Sequence, residues 1–312
     1  MSRSTLAFGA TVWACAAALA GGAPAGAVAA DAAGACPCQH AREPEPTPAV
    51  QLWDALQQGL AEQRDAIPEW LAAADSAAAR FVKGGRIWVG GPFPDFGAEA
   101  CGRAGGLMPL ASLTQATSEG ADSLGGGDVV LLGLHRSQTE DALLVDKLGR
   151  RGVLIVGFGA RAEHAAAATG CDFWLDASQP GLVAGAPAAS LLAVAHLWTF
   201  TGEFVAACLR RGQMPTIWQS IELPGSAARN ARYLPLRTHA DLQPEPVPAG
   251  QLARAYLDSL QRCLRSFRQN QWEHLEVAGR LMSTVRHNGG TAYACPLGGH
   301  LRPNLLSLPG VA

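Results

Sequence analysis

Three uninterrupted apolar runs, separated by stretches of helical character, decide what this chain can fold into. "DVVLLGLH" at Asp128–His135 is followed by "SQTEDALLVDKLGRRG" and then by "VLIVGFGA" at Val153–Ala160. A short "RAEHAAAATG" leads on to "CDFWLD" at Cys171–Asp176. A strand that is apolar at every position, not at alternate ones, has both faces covered. Such strands alternating with helices predict a parallel sheet between two helical layers.

The flanking sequence extends the pattern. Leu52, Leu56 and Leu60, then Trp70, Leu71, Ala74, Ala78 and Phe81, recur at helical spacing. Pro68 divides them into two helices, placed where the first turn of the second tolerates it. "GGRIWVGG" predicts a short strand bounded by glycine pairs, "PDFGAEACGRAGG" a short helix, and "LMPLASL" a short strand or turn. From about Ala186 to Arg211 runs one long helix, apolar nearly all round, and so deep in the molecule or at a subunit contact. Thr199, Thr201 and Glu203 interrupt its centre and weigh against a membrane span.

The ends of the chain read differently. Arg3, the apolar stretch after it and Ala27-Val28-Ala29 have the order of a secretory signal peptide over residues 1–29. Cleaved, this leaves an exported protein, periplasmic or extracellular, with no stable membrane span; retained, it is an anchor. Residues 30–48, with "REPEPTPA", form a linker, and residues 49–233 the main domain. The Pro-rich stretch at 234–250 is a second linker, and 251–312 begins with one or two long helices. Cys36, Cys38 and His40 are metal-ligand types without a fourth partner nearby, so an inert linker is the better reading. No metal and no cofactor is expected. The formal net charge of -2, with no basic block, argues against a nucleic-acid partner.

"AAARFVKGGRIWVGGPF" and "RLMSTVRHNGGTAYACPLGGH" share the order helix, glycine pair, strand, glycine pair. The reading is an internal repeat, offset by 205 residues, whose second copy is only begun.

Ligands of open parallel sheets bind beyond the carboxyl ends of the strands, where helix N-termini point. There "HRSQTE" supplies Ser137 and Glu140 as a capping box. The same hydroxyls, Ser137 and Thr139, with His135, Arg136 and the helix dipole, suit an anion. Gly90 and Gly91 let a ligand approach the backbone at the end of the first strand, while Glu99 and Arg103 lie one helical turn apart on the next helix. An ion pair on the surface explains that last spacing equally well. "GFGARAEH" lacks the third glycine of a dinucleotide fingerprint, and "GGGD" precedes its strand and reads as a turn at the amino end of the sheet. No nucleophile elbow, zinc-protease helix or phosphate-binding P-loop is present, which counts against a hydrolase.

The two helices, "GGRIWVGG", "DVVLLGLHRSQTEDALLVDKLGRRGVLIVGFGA", "CDFWLD" and the long Ala-rich helix together resemble the sugar isomerase (SIS) domain, over roughly residues 50–222. The segment "HNGGTAYACPLGGH" looks like the start of a second such domain. The resemblance implies a flavodoxin-like, five-stranded parallel α/β sheet, with a helical C-terminal extension or a partial second SIS-like unit. It also implies a sugar phosphate or related carbohydrate derivative as ligand, a homo-oligomer, and aldose–ketose isomerisation if the domain is catalytic. In the family a turn of the form S-x-S-G-x-T holds the phosphate; here His135 stands for the first Ser and Gln138 for the Gly. Enediol chemistry needs a carboxylate base, for which Glu99 is the candidate, with His300 of a partner chain as a second group. The alternative is a non-catalytic exported binding or assembly module that uses the same fold to oligomerise.

Overall fold

The computed structural model describes residues 47–92, 96–113, 124–134, 138–178 and 187–291. The signal-peptide segment, Cys36, Cys38 and His40, and the strand expected after Thr291 lie outside these residues. The described residues form two compact units: one lies between Ala55 and Arg262, the other combines residues 47–54 with residues 263–291.

The larger unit holds the predicted sheet. Over both units, in chain order, the elements are α1 (Pro48–Asp65), α2 (Ile67–Val82), β1 (Ile87–Gly90), α3 (Phe96–Ala100), β2 (Leu110–Ser112) and β3 (Val129–Gly133). They continue with α4 (Gln138–Gly149), β4 (Leu154–Gly159), a 3-10 turn at Arg161–Glu163, α5 (Ala165–Gly170), β5 (Phe173–Asp176) and α6 (Pro187–Leu209). After these come α7 (Ser226–Tyr233), α8 (Gln251–Asn270) and α9 (Trp272–His287). Pro68 falls in the first turn of α2, as its missing N–H allows.

Among the described residues five strands pair in parallel, in the order β2-β1-β3-β4-β5. This is the flavodoxin-like order, whose topological switch point lies between β1 and β3. Ile87 pairs with Val129 and Val129 with Leu154, so the apolar runs stand in register. Every residue of β3 and β4 is buried, because both faces are covered. Helices α2 and α6 pack on one another over one face. On the other, α4 and α5 close over Trp88, Val130, Leu132, Ile155 and Trp174.

Helix α6 is long and apolar enough to cross a membrane, yet most of it is buried. Its fully buried carboxylate, Glu203, accepts hydrogen bonds from the backbone N–H groups of Gly250 (2.9 Å) and Ala253 (2.8 Å). A charge in the middle of an apolar helix is thereby spent on the unsatisfied amides at the start of α8.

The amino end of the sheet is closed by polar side chains that satisfy backbone groups. Asp128 accepts from the N–H of Arg86 (2.8 Å), the N–H of Gly125 (3.1 Å) and the indole of Trp88 (3.2 Å). Arg80 donates to the carbonyls of Gly126, Asp128 and Gly152 at 2.9, 3.0 and 3.0 Å. The "GGGD" turn therefore belongs to the structural end of the sheet. Gly85 packs there so tightly that an added Cβ would stand 2.0 Å from the Gly127 carbonyl oxygen.

The ends of α2 and α9 close identically. Gly84 N–H bonds the Phe81 carbonyl and Gly85 N–H the Arg80 carbonyl; 205 residues on, Gly289 bonds Arg286 and Gly290 bonds Val285. Both are Schellman closures, with Gly84 and Gly289 at positive φ. This closure is common to a third or more of all helices, so it does not by itself make the two segments copies of one unit.

In the smaller unit, the Arg268 guanidinium lies 3.5 Å over the ring of Trp272 and 5.9 Å from Trp53, and the two indoles meet edge to face at 5.9 Å. The cation and the two aromatic faces hold one another where no carboxylate is needed.

Candidate functional site at the carboxyl edge of the sheet

The carboxyl end of β1 is where the switch point would admit a ligand. Gly90 ends the strand, and a Cβ there would stand 2.7 Å from the Cβ of Leu113. Gly91 has φ +117°, and a Cβ would meet the carbonyl oxygen of Gly133 at 2.3 Å. Both glycines thus have a packing reason inside the protein. Helix α3 leans on the same edge: Gly97 faces the Cα of Gly90, and Phe96 is buried over Gly133.

Helix α3 also presents Glu99. Its Oε2 accepts from Arg103 Nε (2.9 Å) and Nη2 (2.5 Å), and its Oε1 lies 3.4 Å from the indole N–H of Trp198. The pair is mostly shielded, with side-chain exposures of 12% for Glu99 and 18% for Arg103. The ion pair that the one-turn spacing allowed is formed, charge-assisted and held against α6.

The second candidate edge follows β3. Helix α4 begins at Gln138, four residues after Leu134, and Thr139 is exposed in its first turn. Its first turn also carries Glu140 and Asp141, which complement the helix dipole. His135, Arg136 and Ser137, together with His300, lie outside the described residues.

Two features of this edge had no signal in the sequence. Asp141 Oδ2 and His164 Nδ1 approach to 2.8 Å, with side-chain exposures of 0% and 3%. The pair joins the start of α4 to the connection that leaves β4. At the end of β5, Asp176 accepts from the N–H of Arg161 (2.8 Å) and from the N–H (2.9 Å) and hydroxyl (2.6 Å) of Ser178. Residues 20 or more apart supply these contacts in the first case, so only the assembled sheet brings them together. Among the described residues no cluster of three metal-ligand side chains occurs.

The structure therefore groups Gly90, Gly91 and Glu99 at the end of β1 and puts Thr139 on the helix that follows β3. No known family model matches the chain, and no curated protein does. Among solved structures it is similar to a crystal structure described as a candidate sugar-phosphate isomerase from Listeria monocytogenes, at 16% identity over 54% of this chain and 93% of that one, with a TM-score of 0.35.

Proposed function

We propose that the chain binds a sugar phosphate or a related anionic carbohydrate derivative at the carboxyl edge of its sheet, around the start of α4. The observation that carries this reading is the placement of α4, which opens directly beyond the carboxyl end of β3 with the Thr139 hydroxyl exposed in its first turn. An N-terminus so placed offers unbonded amides and positive potential to a phosphate, carboxylate or sulfate. Ser137, Arg136 and His135 precede it in sequence and belong to the same proposed site. Gly90 and Gly91 would form its opposite wall.

The pairing of Glu99 favours binding without turnover. A base for enediol chemistry must be turned towards a sugar carbon, whereas the Glu99 carboxylate is turned to its protein partners Arg103 and Trp198. The second reading, a non-catalytic exported binding or assembly module, draws on that observation. Export itself rests on the signal-like residues 1–29, and a mature start near Ala30, read by mass spectrometry of protein from its host, is the expected outcome.

The test of the site is calorimetric titration of the full chain with sugar phosphates, sulfated sugars and their neutral parents. Anionic forms should bind and neutral ones should not. Replacing Ser137 and Thr139 by Ala should weaken binding by about 1–3 kcal/mol, the worth of hydrogen bonds to a charged group. Equal affinity for neutral and anionic sugars, or no change in the double variant, would refute the site.

A further inference from the structure

Beyond the carboxyl end of β4 stands a buried polar cluster that the sheet itself does not need. Asp141 Oδ2 and His164 Nδ1 approach to 2.8 Å. So short a contact holds a proton between nitrogen and oxygen, which puts the Nδ1–H towards the carboxylate. The Cδ2 edge of the ring, which adjoins Nε2, lies 3.5 Å from where a Cβ on Gly159 would stand, at the end of β4. Trp174 runs along the same strand. Its Cε3 lies 2.6 Å from an added Cβ on Gly157, and its Cζ2, beside the N–H edge, 3.6 Å from one on Gly159. The indole N–H is therefore turned to the ligand edge of the sheet. Trp174 is buried, and its Nε1 has no hydrogen-bond partner among the described residues. A buried donor left without an acceptor is costly, and one turned to this edge is open to an acceptor that binds there.

Charge links the cluster to the start of α4. Asp141 follows Thr139 by two residues, in the turn whose amides would take an anion. With the imidazole neutral, the pair carries one negative charge there, and Glu140 adds a second. A second proton, on Nε2, cancels the charge of the pair. The other charged groups on the elements around His164 are Asp146 and Lys147 further along α4, Arg161 and Glu163 in the 3-10 turn, and Asp172 and Asp176 beside β5. Asp172 accepts from the N–H of Ile155 and Asp176 from that of Arg161. On the opposite face of the sheet, α6 brings His196 against Trp70. Among the described residues it is Asp141 that forms the ion pair with His164.

We propose that the Asp141–His164 pair takes up a proton when an anion binds at the start of α4, so that pH sets the affinity of the site. The inference rests on the binding site proposed above. Histidine is the side chain whose charge ordinarily changes between about pH 5 and pH 8. The coupling is reciprocal: a proton on His164 removes a charge that repels the anion, and the bound anion favours that proton by the same factor. Affinity is therefore highest in acid, where the pair is neutral, and falls as rising pH takes the Nε2 proton away. One exchanged proton limits the slope to about tenfold per pH unit. Loss of one unit charge within about a helical turn or two of the anion makes the whole step about tenfold or more.

Calorimetric titration of the full chain with inorganic sulfate and glucose 6-sulfate, from about pH 5 to pH 8, tests this. Sulfate keeps its charge over that range, whereas a phosphate ester titrates near pH ~6 and would add a slope of its own. Repeating each titration in two buffers of different ionisation heat counts the protons taken up. The wild-type chain should bind about tenfold or more tightly at the acid end, with uptake of up to about one proton. Asp141→Asn, which removes the repelling charge, should bind tightly at both ends of the range. His164→Gln, which removes the proton that cancels it, should bind weakly at both. Thermal melting establishes that each variant is folded, and the proton count on the wild-type chain needs no variant. Sulfate binding with flat affinity and no proton uptake overturns the inference and leaves the site standing. A wild-type slope kept in both folded variants does the same. No binding of either sulfate at any pH overturns the site and the inference together.

Discussion

The ring of Phe96 lies against the bare Cα of Gly133, where an added Cβ would stand 2.5 Å from the ring Cγ. Phe96 in turn meets Phe158 at 5.2 Å between centroids, Phe158 meets Phe200 at 6.0 Å, and Phe200 stacks on Phe204 at 6.3 Å. A column of rings therefore runs from the ligand edge of the sheet into the core, and its outermost member rests on the end of β3. Gly133→Ala should destabilise the fold by about 1–3 kcal/mol through overpacking. The loss should shrink in a Phe96→Ala background, as a double-mutant cycle in chemical denaturation would reveal. Additive costs would mean that the methyl group finds room elsewhere.

Glu203 predicts a second, larger effect. Its two oxygens serve two different amides, those of Gly250 and Ala253, with no exposure to water. Glu203→Gln keeps the shape but leaves one oxygen and a donor where two acceptors are needed. The expected loss is about 2–3 kcal/mol, from a charge-assisted bond removed and a buried amide unsatisfied. Equilibrium urea unfolding measures it, and a change under about 0.5 kcal/mol would show that water replaces the lost acceptor.

For the pair at the candidate site, removal of the cation should matter more to stability than to binding. Arg103→Met leaves Glu99 with Trp198 alone, in a setting where little water reaches it. About 1–3 kcal/mol of stability should be lost, the cost of leaving a shielded polar group with one weak donor. Affinity for an anionic sugar, measured by calorimetry, should stay unchanged if α4 supplies the anion contacts. A large loss of affinity with unchanged melting temperature would transfer the anion to Arg103.

Much of this architecture was legible in advance because strand burial writes itself into composition. Val129–Gly133 and Leu154–Gly159 carry no alternation, and the structure buries every one of them. The Pro68 break and the turn at Gly125–Asp128 followed from backbone chemistry that acts locally. What stayed hidden depends on distance along the chain. Asp141 and His164 look in sequence like an ordinary first-turn acid and a histidine of a short Ala-rich helix, and become a buried pair only when α4 and β4 are laid side by side. Gly90 and Gly91 show the converse: their lack of side chains was visible, but that Leu113 and Gly133 use the space was not. Helix α7 escaped because its eight residues, Ser226–Tyr233, are too few for a periodic signal.

The last prediction concerns acid. His196 lies on α6 with its ring fully buried edge-on to Trp70, 4.9 Å between centroids. Burial is the main cause that pushes its pKa from 6.5 down to about 3, against a smaller upward pull from the Leu175 backbone and from Asp176. The folded protein therefore keeps this ring neutral, while the unfolded chain takes up a proton below the ordinary value. Above pH 6.5 neither state binds the proton and the group adds no slope. Between 6.5 and about 3 the unfolded state binds more protons, so stability falls with falling pH. The slope approaches at most about 1.4 kcal/mol for each pH unit. Carboxylates such as Asp75, held below its usual value chiefly by its hydrogen bond to Arg211, lose stability in acid as well. Comparison with His196→Phe isolates the histidine, since the phenyl ring can keep the edge-on contact but cannot titrate. Urea unfolding of both proteins from about pH 7 to pH 4 should show the wild type losing stability faster with acid than the variant. Parallel curves would mean that the folded state opens to let His196 take its proton.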